Sequence, residues 1–547
     1  MGVYLNPGNE LFRMALNGPI YVDKTEMVAD VNVLVNTPQK YLCVTRPRRF
    51  GKSMAAAMLC AYYGAESDSR ELFEKLKLAK CPEWNKYLGK FDVIYLNMLD
   101  FLADSKNIDQ MFDAIAAEVS PEIAKKYPQC DVSEALSLRI ILSRAYAESH
   151  RQFVIVMDEW DCVFRERPQD LAGQKSYLDW LRSLLKDKPY VAMAYMTGIL
   201  PVKKYGKHSA LNMFDEYSMT APLQLAPYTG FTEEEVQDLC GKFGMSFTAI
   251  KDWYDGYLVY DQGIVDDKDR SEENPSKRLP AKRYHLYAPL SVVNAMRNGQ
   301  IKNYWNNTET YEALAEYIRM DFDGLKETVA RLMEGEHLPV NLGTYQNDMT
   351  SMTCRDDVLA LLIHLGYLGY DQPKGEVFIP NHEIHDVFET STQTPEWSST
   401  MRALRNSKKL LEAVWIGDEE TVAGLLEAAH DQTGNRTYNS EAALSYAVQL
   451  AFYKAQDDYT LFPEVDTGRG HADLIYIPKR PVHPAILVEL KYKQDADTAM
   501  EQILRQKYPS RLEHYKGNLI LVGISYDRSA DPAAPNFKHH SCKMVRA

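Results

Sequence analysis

Residues 41–53 read YLCVTRPRRFGKS and supply the strand, loop and helix start from which the fold can be inferred. The first five residues form an apolar run typical of a buried strand, and the helical stretch MAAAMLCAYYG follows at 54–64. This order places Gly51, Lys52 and Ser53 at a helix N-terminus. Such a turn can wrap backbone N–H groups around a phosphate, with a Lys for charge and a hydroxyl for Mg²⁺.

The rest of the N-terminal region repeats this alternation of strand and helix. Apolar runs come at 92–97, 153–157 and 190–196, and helical stretches separate them at 109–125, 132–149 and 174–187. Short buried strands alternating with helices indicate a parallel sheet covered on both faces. We therefore expect an α/β fold.

Acidic and hydroxyl side chains follow two of these apolar runs. Asp158 and Glu159 come directly after FVIVM, and Thr197 follows YVAMAYM. The carboxyl ends of parallel strands meet at one edge of a sheet, where open α/β folds bind ligands. At that edge Asp158 can hold the water shell of Mg²⁺ and Glu159 can activate the attacking water. Thr197 fits a polar residue that senses the γ-phosphate.

The loop itself departs from the usual phosphate-loop pattern. The first glycine of GxxxxGK[ST] falls at position 46, which is Arg46. Taken alone, the shortened FGKS match is weak, and the alternative is a chance GKS in a chain that also has a strand ending in acids. Arg46, Arg48 and Arg49 are either phosphate clamps or exposed charges beside the loop.

Several short motifs make the sequence similar to a known family. They are YVDKT (21–25), RPRRFGKS (46–53), MTGILP (196–201), WYDGY (253–257), LYAPLSVVNAM (286–296) and YWNNT (304–308). Together they resemble the bacterial AAA-ATPase-like family, whose members carry a P-loop NTPase domain followed by a nuclease-like domain. The family has Arg-Pro-Arg-Arg where other P-loops begin with Gly, so Arg46 fits its pattern. The resemblance implies an AAA-like ATPase and, by analogy, homo-oligomers and a role in defence against phage or other mobile DNA.

The predicted nucleotide site combines the motif residues with the acids that follow the strands. Its members are Arg46, Arg49, Gly51, Lys52, Ser53, Asp158 and Thr197, with Ser53 and Asp158 as Mg²⁺ ligands and Glu159 as the catalytic base. ATP and Mg²⁺ are the expected cofactors.

A second group of charged residues lies near the C-terminus. Glu489 and Lys491 end the run AILVELK, and strand alternation puts them on one face while Leu490 points into a core. Asp473 opens DLIYI, and the turn at 478–484 can fold the two strands into a hairpin that brings Asp473 towards Glu489. Clustered carboxylates with a nearby cation suit metal-dependent phosphodiester hydrolysis. Alone, the Glu-x-Lys pattern is more often a solvated strand edge.

An Asp followed on the next strand by Glu-x-Lys resembles the PD-(D/E)XK nuclease superfamily. The resemblance implies that Asp473 and Glu489 bind metal and that Lys491 positions water or stabilises the transition state. It also implies that Gln502, on the helix that follows, orients the site. Glu464 or Glu441 could supply a further acid.

The middle of the chain carries weaker signals. Residues 262–283 are polar, charged and proline-bearing, which predicts an exposed insertion. Residues 355–390 predict a helix followed by a β-hairpin, the outline of a winged-helix unit. The domains that we predict are a P-loop AAA-like ATPase domain (1–230), a helical lid with a winged-helix region (231–390), a helical linker (391–435) and a restriction-endonuclease-like α/β domain (436–547).

Composition limits the classes of function. The chain has 547 residues, with 76 acidic and 62 basic side chains and a formal net charge of −14, which argues against a surface that binds nucleic acid throughout. Eight cysteines are scattered without a CxxC pair, which predicts reduced thiols. No basic-then-apolar leader and no long apolar run is present, so we expect a cytoplasmic protein without a membrane partner.

Two functions compete at this point. The first is an ATP-binding and ATP-hydrolysing protein coupled to Mg²⁺-dependent hydrolysis of nucleic acid, with DNA favoured over RNA. The second is a nucleotide-switched nucleic-acid-binding or signalling protein whose nuclease-like domain does not cut.

Overall fold

The computed structural model divides the chain into two compact units, Met1–Ser391 and Thr392–Ala547. The residues it describes are 2–130, 137–202, 211–261, 282–305, 314, 318, 322–346, 352–392, 395–433, 444–445, 448–449, 451–452, 455–466, 471–505, 510–515, 517–527 and 539–547. The predicted insertion at 262–283 lies outside them except for its last two residues.

A parallel sheet forms the centre of the first unit. Its strands are β1 (Tyr41–Thr45), β2 (Asp92–Asn97), β3 (Phe153–Asp158), β4 (Val191–Gly198) and β5 (Asp215–Tyr217). In the described residues they are ordered β2-β3-β4-β1-β5, and every neighbouring pair is parallel. The predicted parallel α/β sheet is confirmed. β1, β3 and β4 are buried along their whole length, which explains why they read as uninterrupted apolar runs.

Helices cover this sheet and continue into the middle of the chain. They are α1 (Glu10–Leu16), α2 (Met27–Asn32), α3 (Lys52–Tyr63), α4 (Arg70–Phe73), α5 (Met98–Ala103), α6 (Ile108–Lys126), α7 (Leu138–Ser149), α8 (Cys162–Glu166), α9 (Leu171–Leu185), α10 (Glu233–Phe243), α11 (Phe247–Tyr254), α12 (Pro289–Asn298), α13 (Leu325–Met333), α14 (Arg355–Leu365) and α15 (His382–Ser391). α3 is buried for most of its length in the core that contains β1 and β3.

Two small antiparallel sheets lie in the second half of this unit. One pairs β6 (Phe231–Thr232), β7 (Tyr257–Tyr260) and β8 (Arg283–Tyr287) in the order β6-β8-β7. The other pairs β9 (Leu338–Pro339), β10 (Gly369–Asp371) and β11 (Glu376–Phe378) in the order β10-β11-β9. α14 followed by the β10–β11 hairpin is the helix and hairpin expected from the sequence, and the winged-helix assignment stays a prediction.

The second unit contains a mixed sheet with helices. Its elements are α16 (Pro395–Ile416), α17 (Glu419–Thr433), α18 (Ala455–Asp458), β12 (Tyr459–Asp466), β13 (His471–Pro478), β14 (Ala485–Tyr492), α19 (Ala496–Arg505), β15 (Leu519–Tyr526) and β16 (His540–Arg546). The strand order is β12-β13-β14-β15-β16, with β14 and β15 parallel and the other pairs antiparallel. α16 and α17 share a hydrophobic core with the sheet.

All eight cysteines are free and six of them are buried, which agrees with the expectation of reduced thiols. Among the described residues, no helix is long and apolar enough to cross a membrane.

Candidate functional site

The loop between β1 and α3 reverses sharply through two residues in the left-handed region. Arg49 has φ 72° and Gly51 has φ 84°. A Cβ on Gly51 would meet nothing within 4 Å, so the requirement for glycine there is conformational rather than steric. Gly51 is the N-cap of the 12-residue α3 and brings no side chain to its first N–H groups. A helix start of this kind favours an anionic ligand.

Lys52 lies buried beneath this loop. Its side chain folds back so that Nζ donates a hydrogen bond to the carbonyl of Pro47 at 2.9 Å. Burial lowers the pKa of Lys52, and the nearby carboxylates of Glu159, Asp161 and Asp158 oppose that shift. Three acids thus lie near one buried cation at the start of α3.

Asp158 ends β3 on the same edge of the sheet and is 2% exposed. Burial raises its pKa, and a hydrogen bond from the Ser53 hydroxyl and the charge of Lys52 counteract that rise. One strand, β4, separates β3 from β1. Ser53 and Asp158 therefore come close to each other across that strand, between the loop and the acids that follow β3.

Glu159 follows Asp158 with φ 53°, a left-handed backbone that is uncommon for a residue other than glycine. Its carboxylate forms an ion pair with Arg165 on α8. Burial raises the pKa of Glu159, and the charge of Arg165 opposes the rise. The sequence reasoning did not identify Arg165, although its i,i+4 spacing from Asp161 was a usable signal.

Two of the predicted phosphate-contacting side chains are fully buried and bonded to backbone carbonyls. The Thr197 hydroxyl donates to the carbonyl of Val44 at 2.9 Å, across the β4–β1 pair. Arg46 donates from Nη1 to the carbonyls of Thr45 at 2.8 Å and Tyr217 at 2.6 Å. Burial lowers the pKa of Arg46 to about 10. Both side chains hold neighbouring strands together in this structure.

Arg49 is half-buried and also bonds to backbone carbonyls, whereas Arg48 is exposed. The Arg49 guanidinium donates to the carbonyls of Trp305 at 2.8 Å and Tyr304 at 3.3 Å, and it lies 5.2 Å from the centre of the Trp305 ring. These aromatic residues belong to the YWNNT motif. Arg48 is thus an exposed charge and Arg49 contacts the YWNNT motif, and a role of either arginine as a phosphate clamp stays a prediction.

A cavity of about 380 Å³ opens beside Gly51. Apolar side chains from five separate segments line it, among them Ile20, Tyr21, Val22, Met54, Leu290 and Val293. At its edge the Lys24 ammonium donates to the carbonyl of Pro227 at 2.6 Å and to Glu235 on α10 at 2.5 Å. The motifs at 21–25 and 286–296 supply part of this lining, so those motifs were the sequence signal for a cavity that the site prediction missed.

In the second unit, the β13–β14 hairpin brings the predicted acids together. Leu474 pairs with Val488, and the backbone N–H of Leu490 donates to Asp473 Oδ2 at 2.6 Å. Glu489 is 2% exposed, and Lys491 Nζ lies 3.1 Å from its Oε1. Leu490 is fully buried in the core, as strand alternation predicts.

α19 crosses from β14 to the parallel strand β15 and packs tightly on the sheet. A Cβ on Gly523, the register partner of Glu489, would lie 2.9 Å from the carbonyl of Ala496 and 3.1 Å from the Cβ of Ala499. Gln502 is half-buried one turn beyond Ala499 on this helix. Glu441 and the side chain of Glu464 lie outside the described part of the chain.

Comparisons with known proteins give a family match for part of the first unit, and that match rests on the amino-acid sequence. No curated protein matches the chain. Among solved structures, it is similar to a Walker-type ATPase of Pyrococcus abyssi, with 14% identity and a TM-score of 0.33, over 67% of this chain and 94% of that one. It is also similar to the ORC2 protein of Aeropyrum pernix in ADPNP–ADP complexes, with 11% identity and a TM-score of 0.22, over 70% and 93%. Residues 9–206, within the first unit, match the family described as Predicted AAA-ATPase.

Proposed function

We propose that the protein binds and hydrolyses ATP at the loop of residues 46–53, and that the second unit hydrolyses phosphodiester bonds in nucleic acid under control of that nucleotide. The observation that carries the ATPase proposal is the convergence of Lys52, Ser53 and Asp158 at one edge of a parallel sheet. The match of residues 9–206 to an AAA-ATPase family supports it.

The loop provides the phosphate-binding groups. The N-terminal amides of α3 and the left-handed turn at Gly51 receive phosphate oxygens. Lys52 exchanges the Pro47 carbonyl for a phosphate oxygen, because a buried ammonium gains more from an anion than from a neutral carbonyl. The apolar cavity beside Gly51 takes the nucleotide base.

The oxygen atoms of Ser53 and Asp158 fit Mg²⁺, which binds hard oxygen ligands. Asp158 is 2% exposed, and a divalent cation at this position would compensate its buried negative charge. When bound, Mg²⁺ neutralises charge on the phosphates. Glu159 then accepts the proton of the water that attacks the γ-phosphorus.

The ATPase proposal is tested with purified full-length protein and a matched set of variants. Lys52→Ala should abolish binding of a fluorescent ATP analogue, and Glu159→Gln should keep binding while hydrolysis falls by about 10²- to 10⁴-fold. Lys86→Ala changes an exposed lysine far from the loop in sequence and should behave as wild type. Nucleotide binding by Lys52→Ala at the wild-type level would contradict the assignment of the loop.

The nuclease proposal is supported by the geometry of the β13–β14 hairpin. Asp473 and Glu489 present carboxylate oxygens at neighbouring strand positions, a donor set that fits Mg²⁺. Lys491 lies beside Glu489, where its ammonium can stabilise charge that develops on a phosphate. Gln502 orients the site from α19. The preference for DNA and a role in defence against mobile DNA extend this proposal through the family resemblance.

A nuclease assay distinguishes this function from the alternative. Wild-type protein is incubated with single- and double-stranded DNA and RNA in Mg²⁺, with and without ATP. Cleavage should be lost in Glu489→Gln and in Asp473→Asn, and it should persist in Glu501→Gln, which changes an exposed acid on α19. Binding of nucleic acid without any cleavage would favour the nucleotide-switched binding protein instead.

A further inference from the structure

Arg165 lies on α8 between two carboxylates of the segment that follows β3. Its side chain is 6% exposed. The guanidinium pairs with Glu159 Oε2 through Nη2 and donates from Nε to Asp161 Oδ2 at 3.1 Å. Glu166, half-exposed at the end of the helix, is the third acid, at 3.5 Å from Nη1. The buried guanidinium of Arg165 thus connects Glu159 and Asp161, two acids of the same short loop.

Asp161, one of the two acids that Arg165 contacts, is bonded to the residues that follow β4, the strand beside β1 and its phosphate loop. Asp161 is fully buried, and its Oδ2 accepts the backbone N–H groups of Ile199 at 3.1 Å and Leu200 at 2.8 Å, directly after β4. A Cβ on Gly198 would lie 2.3 Å from Asp161 Oδ1, so the end of β4 packs directly against this carboxylate. Arg165 is therefore bonded to a carboxylate that the backbone after β4 holds in place.

Glu159, the other acid bound by Arg165, follows β3 at the sheet edge where we propose that the nucleotide binds. Glu159 is 23% exposed on its side chain, and its left-handed backbone is a conformation that other contacts must maintain. The charged groups around it are Arg165, Asp161, Lys52 and Asp158. Arg165 is the cation in direct contact with its carboxylate, through Oε2.

We propose that Arg165 positions Glu159 for ATP hydrolysis. It binds Oε2 of Glu159, so that Oε1 faces the attacking water. This inference rests on the proposed ATPase function. Arg165 itself touches neither nucleotide nor water, and it acts through Glu159. A Lys can keep the charge but cannot bridge both acids, because its ammonium lacks the planar fork of a guanidinium.

The test compares Arg165→Gln with Arg165→Lys, Glu159→Gln and the double variant Arg165→Gln/Glu159→Gln in full-length protein. Arg165→Gln should lower kcat by about 100-fold, the size of effect that a misplaced catalytic group produces, with an unchanged Kd for a fluorescent ATP analogue. Arg165→Lys should fall between it and wild type. The double variant should hydrolyse ATP no more slowly than Glu159→Gln alone, because the arginine has nothing left to position.

The matched control is Arg167→Gln, since Arg167 donates to the carbonyl of Ser105 and belongs to the same segment. It should leave kcat unchanged. Additive losses in the double variant, or a loss of nucleotide affinity in step with kcat, would overturn the positioning role and indicate a structural one. If Arg165→Gln does not fold, Arg165→Lys and its combination with Glu159→Gln provide the same comparison. Wild-type protein that neither binds nor hydrolyses ATP would overturn the proposed function, and this inference with it.

Discussion

The acid Glu383 should make the first unit less stable as the pH rises, and its replacement by Gln should remove this effect. Glu383 begins the buried face of α15 and is 1% exposed. Its Oε1 accepts the backbone N–H groups of Tyr304 at 2.6 Å and Trp305 at 3.2 Å. Arg49 of the phosphate loop donates to the carbonyls of the same two residues. Burial raises the pKa of Glu383 to about 7, and the Tyr304 N–H and the Arg49 charge only partly oppose it.

The size and sign of the effect follow from this pKa. The folded value of about 7 lies above the ordinary value of 4.5, so the folded state binds more protons than the unfolded state between these two pH values. Stability from this group is fully present below pH 4.5 and is lost as the pH rises to about 7. At 1.36 kcal/mol per pKa unit, the loss amounts to about 3 kcal/mol. Glu383→Gln is a neutral shape match for the protonated acid and should lack this dependence.

The assay is equilibrium unfolding in urea at several pH values between 5 and 8. Glu383→Gln should match wild type near pH 5 and become more stable than wild type at pH 8, by up to about 3 kcal/mol. Glu389→Gln changes an exposed acid of the same helix and should follow the wild-type curve. If Glu383→Gln proves less stable than wild type at pH 8, attraction to Arg49 outweighs burial and the reasoning is wrong.

Three further substitutions test other parts of the first unit. Gly366→Ala should lower the melting temperature, because Gly366 has φ +89° and a Cβ there would lie 2.7 Å from the Cβ of Pro47. Met54→Trp should fill the cavity beside Gly51 and weaken ATP binding at least tenfold in a fluorescence titration, with little change in melting temperature because Met54 is 49% exposed. Thr232→Ala should cost about 1 kcal/mol in urea unfolding, because it removes the capping box of α10.

Four strands of the first sheet were predictable because burial along all or most of their length gives each of them an apolar run. The run at 41–45 coincides with β1 and the run at 92–97 with β2, and the other two differ by one or two residues at their ends. Two other edge strands, β5 and β16, lack this signal. β5 is the three-residue stretch DEY, and β16 reads HSCKMVR with buried and exposed residues alternating at its start. Neither strand stands out from a polar segment in the sequence.

The candidate site was predictable in position but not in its contacts. Lys52, Ser53 and Asp158 meet because strand ends of a parallel sheet share an edge, and that follows from element order alone. The burial of Thr197 and Arg46 depends on which strand neighbours β1. The sequence order of the strands does not reveal that β4 and β5 flank it. The pairing of Glu159 with Arg165 depends in turn on where α8 packs.

The strand order also sets the separation between the two parts of the proposed nucleotide site. Because β4 lies between β1 and β3, the phosphate loop and the acids after β3 are separated by two strand spacings, about 10 Å. Across this distance the side chain of Ser53 comes close to Asp158 at the sheet edge. The Thr197 hydroxyl, bonded to Val44, and Asp161, bonded to the residues after β4, fix the intervening strand to both sides of this gap. The proposed phosphate-binding residues Lys52 and Ser53 thus follow β1, and the proposed water-activating acid Glu159 follows β3. A variant that loosens β4 should therefore lower kcat without releasing the nucleotide.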